Sequence, residues 1–138
     1  MTVIYPVIFT QTHDDKDTVL IEIPDINGMT EGYGMADAIN MARDYIAETF
    51  YDVPDDEVAQ ASKAEDIEVS KGTFADSGDS IVSYVDTDLD AHRRKMNKKS
   101  VRKNVSIPSW LNEAAEKAHI NVSRVLQEAL IEKLDIAK

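Results

Sequence analysis

The sequence predicts an α+β fold in two parts. Residues 1–90 show apolar patterns typical of strands and of one helix, in the order β-β-β-α-β. Residues 100–138 show a period-two pattern first and then two patterns with helical spacing. Residues 1–90 contain 4 Lys/Arg and 21 Asp/Glu, a net charge of −17, whereas 91–138 contain 11 and 5, a net charge of +6. We therefore expect an acidic domain over 1–90, a basic linker over 91–100 and a second domain over 101–138.

The composition excludes several classes of protein. With 43% hydrophobic and 30% charged residues, the 138-residue chain has a globular mixture. It has no cysteine, which excludes disulfides, Cys-based zinc sites and a thiol nucleophile. The three histidines, His13, His92 and His119, are far apart in sequence, so a multi-histidine metal site is not expected. The sequence has no membrane-length apolar run and no signal-peptide pattern at its start, so we expect a cytoplasmic protein without membrane contact.

Four strands and one helix are predicted in the first domain. Residues 3–10 and 18–23 are rich in β-branched and aromatic residues, and a short third strand over 29–33 follows a run of turn residues. Apolar residues then recur at helical spacing over 35–51, and residues 80–85 form the last strand. Together these elements make a β-β-β-α-β unit.

The carboxylates of this domain do not form a catalytic pattern. Strand 3–10 contains none, and Glu22 is the only one inside the second strand. The others lie in turns and in the acidic, weakly patterned stretch 55–79, where one helical turn is expected near 64–67. A Ser-His-Asp order and a glycine-rich phosphate loop are also missing from the sequence. We therefore expect a protein that is not an enzyme, with no catalytic residue, cofactor or metal site.

One strand and two amphipathic helices make up the second domain. Residues 100–108 alternate in period two, with Arg102, Asn104 and Ser106 on one side and mainly apolar residues on the other. So short a segment buries little core alone, and its single strand has no partner within it. The economical solution is a homodimer in which two strands pair antiparallel above four helices, the ribbon-helix-helix arrangement. The alternative is a helical hairpin docked on the first domain.

The ribbon of such a dimer fits the major groove of DNA. Arg102 can donate a bidentate pair to guanine, Asn104 suits adenine, and Ser106 can make either kind of bond. The second helix, which Ser123 is expected to cap, presents free backbone N–H groups to a phosphate. The preceding stretch 92–103 carries seven Lys/Arg and no acid. We therefore expect DNA contacts from six residues: Arg102, Lys103, Asn104, Ser106, Val122 and Ser123.

Several short motifs follow one another in a specific order along almost the whole chain. They are Tyr5-Pro6-Val7-Ile8-Phe9, Pro24-Asp25-Ile26-Asn27-Gly28 with Thr30 and Gly32, Ala38-Ile39 with Ala42, Asp86-Thr87-Asp88-Leu89-Asp90-Ala91, Val105-Ser106-Ile107-Pro108-Ser109-Trp110-Leu111 and Ser123-Arg124-Val125-Leu126-Gln127-Glu128-Ala129-Leu130. In this order and spacing they resemble the HicB family of antitoxins from bacterial type II toxin–antitoxin systems.

The resemblance implies a fold and two activities. The N-terminal domain is expected to resemble a partial ribonuclease H fold without catalytic carboxylates, and to neutralise HicA, a small basic ribonuclease toxin. The protein is also expected to repress the operon that it shares with the toxin. A domain with a net charge of −17 can cover a basic RNA-binding surface as a phosphate mimic. Charge alone makes five residues candidates for toxin contact: Glu22, Glu31, Asp55, Asp56 and Glu57.

Three alternatives stay open in the sequence. A stand-alone ribbon-helix-helix regulator whose first domain senses a small ligand is the alternative to a toxin-neutralising antitoxin. Homodimers that pair into tetramers are the alternative to a dimer alone. Finally, His119 stands where many relatives place Gly after the first helix of the second domain, so a left-handed backbone there is an open question.

Overall fold

Four antiparallel strands and four α-helices occupy residues 1–136, the part of the chain that this computed structural model describes. The strands are β1 Thr2–Gln11, β2 Thr18–Ile23, β3 Gly28–Tyr33 and β4 Asp79–Asp88, and the helices are α1 Met35–Thr49, α2 Leu89–Met96, α3 Ser109–Lys117 and α4 Val122–Lys133. The chain divides into two units, unit 1 over Met1–Met96 and unit 2 from Asn97 onward. The predicted α+β class is confirmed.

Unit 1 is a single sheet with α1 packed on one face. The strand order is β3-β2-β1-β4, with β1 and β2 central. Alternate residues of β1 point towards α1, where they meet three residues spaced four apart on the helix, Ala38, Ala42 and Ile46. All three helix residues are fully buried. The apolar period of the sequence therefore placed the core of unit 1 correctly.

The predicted strands match the observed ones except at their ends. The largest difference is in β4, which was predicted over 80–85 but spans Asp79–Asp88. Its full length pairs with β1, from Gln11 opposite Asp79 to Thr2 opposite Asp88. The sequence did not predict this extension because the last residues of β4 are mostly polar. Pairing with β1, and not side-chain hydrophobicity, keeps them in the sheet. Helix α1 ends at Thr49, two residues earlier than predicted.

Helix α2 includes residues 91–96 of the expected linker over 91–100. Leu89, at the start of the helix, is 1% exposed and belongs to the core of unit 1. Asp88 stabilises the first turn, since its Oδ1 accepts the backbone N–H of Ala91 at 3.0 Å. The sequence did not predict this helix, because most of its residues are charged or polar and only Leu89 is buried.

Unit 2 contains the two predicted helices, but the strand predicted over 100–108 is absent from the described chain. Residues 97–108 form no regular element. In a two-stranded ribbon, the hydrogen bonds of each strand go to the other copy, so a single chain has no ladder to form there. No residue of unit 2 up to residue 136 is buried.

None of the helices in residues 1–136 combines the length and apolar character needed to cross a membrane.

Candidate protein-binding and nucleic-acid interfaces

The sheet face opposite α1, called the open face below, is partly covered by residues 59–78, called the strap. The strap contains two short 3-10 turns, Ala64–Asp66 and Val69–Lys71, and no strand. Beneath it, the open-face residues Ile8 and Thr10 are 4% and 0% exposed. The strap therefore buries the centre of the face without joining the sheet.

Side-chain hydrogen bonds hold the strap in place. Asp25 accepts hydrogen bonds from the backbone N–H and the hydroxyl of Ser62, at 2.9 and 2.6 Å. The backbone N–H of Ala64 donates to the Tyr84 hydroxyl at 2.9 Å. At the same end, the Tyr5 hydroxyl donates to the carbonyl of Ala59, the first residue of the strap, at 2.5 Å. Burial of Tyr5, with a smaller contribution from the Asp25 charge, raises the pKa of this hydroxyl, which keeps it a donor.

Glu22 also holds the strap by hydrogen bonds. Its carboxylate accepts hydrogen bonds from the backbone N–H of Thr73 at 3.0 Å and from the Thr73 hydroxyl at 2.5 Å. It also lines an open depression of about 350 Å³ between the strap and the sheet. Glu22, a candidate for toxin contact on charge alone, thus already has partners within unit 1.

Asp55 is also paired within unit 1, through α2. Its Oδ1 lies 2.7 Å from Nη1 of Arg93. The same guanidinium donates to the carbonyls of Phe50 and Val53, at 3.2 and 2.9 Å, just beyond the end of α1. The hydrogen bond to Asp55 raises the pKa of Arg93, and the charges of Asp55 and Asp90 add to this effect. Arg93 therefore fixes α2 to unit 1 and does not belong to the free basic run.

The other three acidic candidates are exposed and lie on two elements. Glu31 is on β3, an edge strand of the sheet. Asp56 and Glu57 lie in the 3-10 turn Asp55–Glu57. The structure thus separates the five candidates into two that hold unit 1 together and three whose carboxylates face solvent.

The basic segment after α2 is fully exposed. Lys98, Lys99, Arg102 and Lys103 are all exposed, and within residues 1–136 none of them forms a salt bridge. Asn104 and Ser106 are exposed in the same irregular stretch. Unpaired cations of this kind are available for phosphate contacts.

A groove of about 600 Å³ runs between this segment and α4 within unit 2. Its walls combine apolar and polar side chains: Ser100, Val101, Arg102, Lys103, Ser123, Leu126, Gln127 and Leu130. The predicted DNA residues Arg102, Lys103 and Ser123 therefore border one groove. Asn104, Ser106 and Val122 do not line it.

The start of α4 differs by two residues from the prediction that Ser123 caps it. The cap is Asn121, whose side-chain oxygen accepts the backbone N–H of Arg124 at 3.1 Å. Asn and Ser are both good caps, and the sequence offered both within three residues, so composition could not choose between them. Val122 and Ser123 are then the first two residues of the helix, where backbone N–H groups have no helical partner.

The turn before α4 answers the question about His119. Its φ is 55°, which is left-handed backbone. The backbone N–H groups of His119 and Ile120 donate to the carbonyls of Glu116 and Ala115, at 3.1 and 3.0 Å. This pair of bonds is the Schellman motif that ends many helices and usually contains Gly at the left-handed position.

Comparisons with known proteins place this architecture among solved structures. One chain of a toxin–antitoxin complex from Streptococcus pneumoniae is 25% identical, with a TM-score of 0.58, and the match covers 96% of this chain and 99% of that one. The antitoxin HicB from Burkholderia pseudomallei is 26% identical over 99% of both chains, with a TM-score of 0.47. No family model and no curated protein sequence matches the chain.

Proposed function

We propose, from the likeness of this chain to a chain of a toxin–antitoxin complex and from the resemblance of its motifs to the HicB family, that it is the antitoxin of a toxin–antitoxin pair. Unit 1 binds and neutralises a HicA-type ribonuclease toxin, and unit 2 represses the shared operon as a DNA-binding ribbon-helix-helix homodimer. The observation that carries the antitoxin role is the likeness to a chain of a toxin–antitoxin complex, which extends over both units.

The charge of unit 1 supports neutralisation by binding. Residues 1–96 hold 7 Lys/Arg and 21 Asp/Glu, a net charge of −14. A ribonuclease needs a basic surface for RNA, and an acidic partner both attracts and covers such a surface. No catalysis is required of unit 1, whose central strand β1 carries no carboxylate.

The exposed apolar face of unit 2 supports a homodimer. Trp110 is 70% exposed, and Val105 and Leu130 are 55% and 51% exposed. Large apolar side chains exposed in a unit that buries none of its described residues are typical of an interface. A second copy that covers these residues would supply the core that one copy of unit 2 lacks, and it would complete the ribbon that presents Arg102 and Asn104 to DNA.

A ribonuclease assay tests neutralisation. A short reading frame for a basic protein is sought next to the gene for this chain and expressed, and its purified product is mixed with RNA and increasing amounts of the full chain. We expect cleavage to stop at a fixed, near-stoichiometric ratio of chain to toxin. Undiminished cleavage at excess chain would reject the antitoxin role and favour the ligand-sensing regulator, provided that the chain still binds DNA.

A DNA-binding assay tests repression. We expect the full chain to bind its own upstream DNA more tightly than an unrelated duplex of the same length. Arg102→Ala is expected to weaken specific binding by about 1–3 kcal/mol if Arg102 reads a base. Equal binding to both duplexes, or equal weakening of both by Arg102→Ala, would contradict base reading by the ribbon.

A further inference from the structure

The strap leaves the open face uncovered along the edge strand β3, and also at Ile4 and Tyr84 on the β1–β4 side. Met29, Glu31 and Tyr33 occupy every second position of β3 and so share a face, and their partners in β2 are Glu22, Leu20 and Thr18. Met29 and Tyr33 are 52% and 56% exposed, in contrast to the nearly buried centre of the same face. A large apolar side chain and a tyrosine thus flank a carboxylate on one exposed strand.

The uncovered region along β3 is concave. Leu20, Met29, Thr30, Glu31 and Phe74 line a depression of about 410 Å³. Phe74 comes from the strap and the other four from the sheet, so the hydrogen bonds that fasten the strap also shape the depression. Glu22 holds Thr73, the neighbour of Phe74 in sequence, by two hydrogen bonds.

Carboxylates lie on β3 and on the elements next to it. Glu31 lies in the wall of the depression, and Asp37 is beside Tyr33, whose backbone N–H donates to Oδ2 of Asp37 at 2.9 Å. The β1–β2 turn leads into Thr18, which pairs with Tyr33, and this turn carries three aspartates and one lysine over 14–17. An apolar centre beside a mainly acidic rim is typical of a protein interface, where a few anchor residues give affinity and rim charges give attraction.

We propose that this β3 surface, formed by Leu20, Met29, Glu31, Tyr33 and Phe74, is where the basic toxin docks on unit 1. The matching patch on the toxin is an apolar side chain set among Lys and Arg. This inference rests on the proposed function and goes beyond it, because it assigns affinity to apolar side chains that charge alone does not select. Among the charge-selected candidates, it retains Glu31 and gives Glu22 a supporting role.

Binding of the full chain to the product of the adjacent reading frame tests this surface. The purified product is immobilised, and its affinity for the full chain is measured by surface plasmon resonance. We expect Met29→Ala combined with Tyr33→Ala to weaken binding by about 100-fold or more, mainly through faster dissociation. Glu31→Lys is expected to slow association by about tenfold at low salt and less at high salt.

Ile81→Ala is the matched control, because Ile81 is 54% exposed on the other edge strand, β4. It should leave affinity unchanged, and circular dichroism should show that every variant is folded. Affinity of the Met29/Tyr33 variant within about threefold of wild type would overturn the proposed surface while leaving the antitoxin role intact. Failure of the wild-type chain to bind would reject both. If light scattering shows that the double variant changes only self-association of the chain, the surface binds a second copy and the proposal is wrong.

Discussion

Replacement of Leu89 by Ala tests whether α2 is an integral part of unit 1. The side chain is 1% exposed and lies in the core. The change removes three carbon groups, worth about 2.4 kcal/mol at about 0.8 kcal/mol each, and it leaves a cavity. We therefore expect the free energy of unfolding of unit 1 to fall by about 3 kcal/mol. With a urea slope of about 1.5 kcal/mol/M, the midpoint should move by about 2 M.

The chain contains separate reporters for its two units. All five tyrosines lie in unit 1, and the single tryptophan, Trp110, lies in unit 2. Tyrosine near-ultraviolet dichroism therefore follows unit 1 in a urea titration, and tryptophan fluorescence follows unit 2. Met96→Ala is the control, since Met96 is 45% exposed on the same helix and should shift the midpoint little. A Leu89→Ala shift no larger than that of Met96→Ala would refute the docking of α2.

Three further predictions concern DNA binding, acid stability and a helix end. Combined Lys98→Ala and Lys99→Ala should lower the slope of log K against log salt for non-specific duplex DNA by about 0.9 for each phosphate that the variant no longer neutralises. Hydrogen bonds from the backbone and hydroxyl of Thr18 lower the pKa of Asp14 below 3.8, so its stabilising effect is present above that pH and is lost as the pH falls. Asp14→Asn should therefore flatten the loss of stability below about pH 4 in an acid titration followed by circular dichroism. His119→Gly should stabilise unit 2 by about 0.5 kcal/mol in thermal unfolding, because relief of left-handed strain exceeds the added chain entropy.

Controls for these predictions use residues of the same type in other surroundings. Lys63→Ala with Lys71→Ala, both in the strap, should leave the salt slope unchanged. Asp15→Asn should leave the loss of stability at acid pH unchanged, since Thr18 donates its hydrogen bonds to Asp14 and not to Asp15. His119→Ala should not raise the thermal midpoint, because Ala is no better than His at a positive φ. Each prediction is wrong if its control variant changes the measured quantity as much as its test variant does. The three quantities are the salt dependence of DNA binding, the loss of stability at acid pH and the thermal midpoint.

The elements of unit 1 could be predicted where one face of an element is buried. The apolar run of β1 and the helical spacing in α1 both report packing against the same core, so composition located the strand and periodicity the helix. Periodicity failed for α2, which depends on one leucine, on the Asp88 cap and on the guanidinium of Arg93. The leucine and the guanidinium contact parts of the chain that only the tertiary fold brings near, whereas the Asp88 cap is local.

The candidate interfaces were predictable in charge but not in detail. Charge selected Glu22 and Asp55, yet both are bound within unit 1, by Thr73 and Arg93. The signal for the β3 surface was present in the alternation of Met29, Glu31 and Tyr33 with smaller residues. The exposure of this surface could not be deduced from the sequence. Whether the strap covers β3 depends on where the side-chain hydrogen bonds of the strap lie.

The way in which the strap is attached has a consequence for motion. Segments without a sheet ladder open in smaller cooperative units, at lower free energy, than the strands they cover. Backbone amides of residues 59–78 should therefore exchange with solvent much faster than those of β1, whose ladders run to strands on both sides. Such an opening would expose Ile8 and Thr10 while the sheet stays paired. Unit 1 thus contains a route to partial unfolding that does not pass through loss of its core.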